Sequence, residues 1–80
     1  MSRDEIKTVV CEILSTTLKR TIEPHESVFR EQEEHWDSLK HVEIVLNLES
    51  AFNIQLTEVE MTELNSLAQI VESVEHHLET

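Results

Sequence analysis

The run Trp36-Asp37-Ser38-Leu39-Lys40-His41-Val42-Glu43-Ile44-Val45-Leu46-Asn47-Leu48-Glu49-Ser50-Ala51-Phe52-Asn53 holds a helix start, a two-sided helix and a helix stop in one stretch. Asp37 suits the N-cap, where its carboxylate accepts from backbone N–H groups two or three residues on. Ser38 then takes the first helical position, with its hydroxyl beside the positive end of the helix. A phosphate on that oxygen would sit where unpaired N–H groups and the macrodipole favour negative charge. Asn53 is the usual substitute for Gly in the left-handed position that closes a helix. The spacing therefore predicts a helix from Ser38 to about Phe52.

An ordinary surface helix is apolar on one side; this one is apolar on two. At about 100° per residue, Ile44, Val45, Leu48 and Phe52 gather on one side, which can line a core. Leu39, Val42 and Leu46 gather on the other, with Glu43 and Ser50 among them and Glu49 at their edge. An apolar strip edged by acid reads as a docking surface. His41 points to the core side.

Asp37-Ser38-Leu39, Val42-Glu43, Leu48-Glu49 and Phe52-Asn53-Ile54 together resemble the acyl carrier proteins. The tripeptide alone is a weak signal; with the following elements at their spacing it becomes fairly specific. Length, helix order and a long first loop agree over nearly the whole chain. The resemblance implies a 4′-phosphopantetheine arm on Ser38 as a phosphodiester, with cargo held as a thioester on its sulfur. It implies docking through Asp37, Leu39, Val42, Glu43, Leu46 and Glu49. The expected partners are a phosphopantetheinyl transferase, an acyl-loading ligase or transferase, and downstream biosynthetic enzymes with basic docking patches. Where the family usually has Gly shortly before Asp-Ser-Leu, this chain has Glu34-His35-Trp36. That departure fits a specialised stand-alone carrier better than the housekeeping fatty-acid carrier.

Eighty residues make one domain, too small for an enzyme's cleft and a core together. A hydrophobic fraction of 39% in periodic array argues against disorder. The absence of Gly argues against tight hairpins and an all-β fold. A formal charge of −11 disfavours nucleic acid and favours basic partners, although acidity also keeps any small protein soluble. No apolar run approaches the ~20 residues of a membrane span, and no signal-peptide core follows the first residues. A single cysteine makes a reducing cytoplasm the default.

Along the chain, Ser2 and Glu5 have the capping-box form, and Ile6, Val9, Val10, Ile13 and Leu14 give an apolar face ending near Leu18. The first helix is expected over about residues 3–18, with Cys11 off the centre of its face. Lys19 and Arg20 follow as cations at the negative end of the dipole. Periodicity is lost up to Trp36, and Pro24 halts any helix near it; a loop this long is usually functional. Val28 and Phe29 are its expected apolar anchors, and Glu31-Gln32-Glu33-Glu34 a solvated acidic run. Thr57 and Glu60 cap a short third helix, with Val59 and Met61 expected to cover the bundle end. Ser66 and Gln69 cap the fourth, whose stripe is Leu67, Ile70, Val71, Val74 and Leu78.

Rival chemistries find less support. Asp37, Ser38 and His41 resemble a hydrolytic set in type, but Asp37 is occupied in capping and no glycine-rich turn supplies an oxyanion hole. The five histidines do not converge as a metal site needs; only Glu72 with His76 pairs at helical spacing. His35 and His41 flank Ser38 and are candidates to touch the arm. Trp36 reads either as a cover over the second helix or as a contact for the arm or a partner. The expectation is an all-α four-helix bundle with three main helices and a short third, acting as a monomeric carrier without catalysis of its own. The alternative is an unmodified helical interaction module using the same apolar strip.

Overall fold

A computed structural model describes residues 1–79. Its helices are α1 (Arg3–Leu18), α2 (Ser38–Phe52), α3 (Glu58–Glu63) and α4 (Leu67–Glu79), with a single 3-10 turn at Arg30–Gln32. This is the expected all-α bundle with a short third helix. Among the described residues no helix is long and apolar enough to cross a membrane.

Each main helix begins where a side chain satisfies its free N–H groups. Ser2 and Glu5 close a reciprocal capping box on α1, and Thr57 and Glu60 do the same for α3. Asp37 accepts from the Lys40 N–H at 2.9 Å on α2. At α4 the box is altered. Ser66 Oγ accepts from the Gln69 N–H at 3.1 Å, but the Gln69 side chain takes the N–H of Asn65 instead of that of Ser66. With no Gly in the chain, Lys19 (φ 59°) and Asn53 (φ 54°) make the two left-handed turns that end α1 and α2.

α1 packs against both α2 and α4. Ile6, Val10, Leu14 and Leu18 meet Ile44 and Leu48 of α2 and Ile70, Val71 and Val74 of α4 in one core. Each fully buried side chain of this size contributes about 1.5–3 kcal/mol relative to exposure. Cys11 is buried at the edge of that core, and burial pushes its thiol above the usual cysteine value despite Lys7, as suits a packed group rather than a nucleophile.

The long connection from α1 to α2 is held at named points. Ile22, Val28 and Trp36 drop into the core. Arg20 clasps Glu33 through two bonds of 2.9 and 2.8 Å and Glu26 through one of 3.0 Å, so its charge goes to the loop rather than to the end of α1. The N–H of Arg30 bonds Asn65 O at 2.8 Å and that of Leu67 bonds Val28 O at 2.9 Å, an isolated antiparallel bridge between the loop and the start of α4.

Three residues expected on inward faces prove to be on the surface, among them Leu78 in the last turn of α4, 39% exposed. Phe29 is 44% exposed: Val28 turns inward beside it, and in extended backbone its neighbour must point the other way. Val59 is 66% exposed, because a helix as short as α3 offers one narrow face to the bundle and Met61 occupies it. Glu72 and His76 form no pair among the described residues. Instead His77 of α4 meets Glu60 of α3 at 2.6 Å.

Candidate functional site

Ser38 stands at the first position of α2, exposed, and its hydroxyl has no hydrogen-bond partner among the described residues. Asp37 explains why it is free. Its carboxylate serves Lys40 and its carbonyl accepts from the His41 N–H at 2.9 Å, so Ser38 is not needed as a cap. The N–H groups of Ser38 and Leu39 have no intrahelical acceptor, and they sit at the positive end of the dipole.

The two sides of α2 separate as their pattern requires. Ile44, Val45, Leu48 and Phe52 are buried, while Leu39, Val42 and Leu46 are 69%, 54% and 59% exposed. Glu43 lies among the exposed residues, with Lys40 at 3.7 Å. Glu49 is half-buried and directs one oxygen to the N–H of Leu56 at 2.8 Å, so it ties α2 to the segment before α3 as well as edging the strip.

Between α2 and α3 runs a mainly apolar groove of about 550 Å³ that opens at Ser38. Val42, Leu46 and Glu49 line it, while Leu39, Glu43 and Asp37 are not among its lining residues. It also draws on Arg30, His41, Val45, Glu58, Met61 and Thr62. Those six come from the loop, the inner edge of α2 and α3, and no single stretch of sequence announces their meeting.

Trp36 backs His41, which lines this groove. Trp36 is 3% exposed, and its indole N–H donates to His41 Nδ1 at 3.0 Å, with the rings stacked at 6.1 Å. Indole is only a donor, so Nδ1 is bare and His41 carries its proton on Nε2. That N–H donates to Met61 O at 2.7 Å. Both ring nitrogens are thus committed, and neither is available to take a proton from Ser38. The Asp37–Ser38–His41 set is not assembled as a hydrolytic relay. Trp36 is a core cover, one of the two roles open to it, and His35 is exposed.

An exposed, unpartnered hydroxyl at a helix N-terminus suits a phosphodiester. The first N–H groups of α2 lack intrahelical acceptors, no carboxylate bonds the hydroxyl among the described residues, and an apolar groove adjoins it. No curated protein matches the chain at a significant level. The profile of the family described as "Phosphopantetheine attachment site" matches residues 4–74, from the first turn of α1 into α4. With that match over most of its length and an all-α fold that presents such a serine, the chain belongs to the phosphopantetheine attachment site family, whose members carry covalent 4′-phosphopantetheine.

Proposed function

We propose that the protein is an acyl carrier whose arm is joined to Ser38 Oγ. The observation that carries this reading is the free hydroxyl of Ser38 at the head of an exposed apolar helix face and its adjoining groove. When bound, the arm supplies a thiol that holds an acyl or related carboxylic group as a thioester. The chain's own residues do the rest. Asp37 fixes the turn that projects Ser38, and the first N–H groups of α2 favour the phosphate's charge. Val42, Val45, Leu46 and Met61 offer an apolar lining beside it.

The same helix is the handle. Leu39, Val42 and Leu46 give apolar contact, and Asp37, Glu43 and Glu49 give charge for basic docking patches on the transferase, the loading ligase or acyltransferase, and the downstream biosynthetic enzymes. In this reading the chain is a monomer, catalyses no reaction itself, and works in a reducing cytoplasm where the arm's thiol stays free. Glu34-His35-Trp36, in the stretch where the family usually has Gly, supports a specialised carrier.

The test is mass spectrometry after incubation with coenzyme A and a broad-specificity phosphopantetheinyl transferase. One phosphopantetheine mass should appear on the parent protein and map to Ser38. A folded chain that gains no mass, or one modified at Ser27 or Ser66, would overturn the assignment.

A further inference from the structure

The chain has six Lys and Arg against 17 Asp and Glu, so a half-buried cation has many carboxylates to choose from. Arg3 holds Glu75, and Arg20 holds Glu26 and Glu33. Arg30 holds nothing: among the described residues its guanidinium makes neither a hydrogen bond nor an ion pair. It is half-buried, and its backbone is pinned to Asn65 on one side and to the 3-10 turn on the other. Its side chain lines the groove that opens at Ser38, and it also lines a neighbouring depression shared with Trp36 and Ser66. Arg30 therefore stands at the edge of the groove, its backbone held at fixed register with the start of α4.

A guanidinium stays charged and presents a flat fork of donors matched to carboxylate and phosphate. Its fork of donors is unpaired among the described residues, which leaves it open to a partner that arrives later. The acids of the same groove do not serve. Glu49 is bonded to the Leu56 N–H, and Glu58 makes no ion pair among the described residues.

We propose that Arg30 is the anion-recognition residue of this groove, and that its ligand is an oxyanion carried on the arm joined to Ser38. The inference rests on the reading of Ser38 given above. Two groups share that chemistry: the phosphodiester at Ser38 itself and a carboxylate at the far end of a dicarboxylic cargo. Either is tethered, so its effective concentration at Arg30 reaches the millimolar range, well above that of a free anion at trace level. The apolar lining lowers the local dielectric and strengthens the pair relative to open water. Arg30 thus works as a positioning residue that turns the arm toward the groove.

The test follows the Arg30 Nε–Hε resonance in isotope-labelled protein at low salt, in the apo, holo, butyryl-loaded and succinyl-loaded forms. A shift from apo to holo identifies the phosphodiester; the ³¹P resonance of the holo protein should then also move in Arg30→Ala and stay put in Lys19→Ala. A shift confined to the succinyl form identifies a cargo carboxylate. A resonance unmoved in every form overturns the proposal, as does one that moves equally with butyryl and succinyl but not on going from apo to holo. A parent protein that takes no phosphopantetheine removes both this proposal and the Ser38 assignment, whereas full loading with a silent Arg30 removes this one alone.

Discussion

Ser38→Ala deletes an exposed hydroxyl that makes no hydrogen bond among the described residues. Loading should be abolished while stability changes by no more than about 0.5 kcal/mol, as for other surface substitutions; intact-mass spectra and a thermal melt check both halves. Asp37→Ala is the converse. It removes the cap on Lys40 and should cost about 1 kcal/mol, visible as fraying of α2. Trp36→Phe keeps the ring but leaves His41 Nδ1 without its donor in a buried site, which should cost about 1–3 kcal/mol by denaturant titration. The roles of Asp37 and Asn53 were legible in the sequence because caps are local: the residue that satisfies the backbone lies within four positions of the group it satisfies. The Trp36–His41–Met61 chain was not. It joins residues that no periodicity relates, and only the packing of a loop and α3 against α2 brings them together. Arg30 was hidden for the same reason, since its significance lies in a groove assembled from three segments.

On the scale of the helix, the two faces of α2 make opposite forecasts. Leu46→Glu should weaken transfer by partner enzymes with little change in melting temperature, because Leu46 is already in water. Leu48→Ala should cost about 2–5 kcal/mol, because Leu48 is buried in the core. Equal melting losses for the two variants would mean that the faces are assigned wrongly. These faces could be read from the 3.6-residue period alone, and the extents of α1 and α2 from that period together with their caps. Phe29 and Val59 could not, because a loop and a two-turn helix lack enough period to say which way a side chain turns. The capping boxes carry a pH forecast. Backbone bonds to Ser2 and Thr57, more than any other influence, hold Glu5 and Glu60 below the ordinary glutamate value of 4.5. A depressed folded value means that the boxes stabilise above about pH 4.5 and lose that stabilisation as pH falls through the lower folded values. Amide shifts at the starts of α1 and α3 should therefore report fraying on the acid side and none toward neutrality.

For the molecule as a whole, a formal charge of −11 sets many carboxylates against one another over a small surface. Screening acts over about 10 Å at 0.1 M ionic strength, so added salt should raise the melting temperature while slowing association with basic partners. One salt series with both readouts checks this; an on-rate indifferent to salt would leave docking to Leu39, Val42 and Leu46 without electrostatic help. α3 answers to a different control. It has no fully buried residue, and side-chain bonds tether it and the turn before it: His41 to Met61 O, His77 to Glu60, and Glu49 to the Leu56 N–H. A segment held this way opens without the rest of the fold. Its amide hydrogens should exchange with solvent sooner than those of α1, α2 and α4, and at a rate nearly independent of dilute denaturant. Since α3 is also one wall of the groove beside Ser38, the clock of such a local opening would set how long anything lodged there stays out of reach of a partner enzyme.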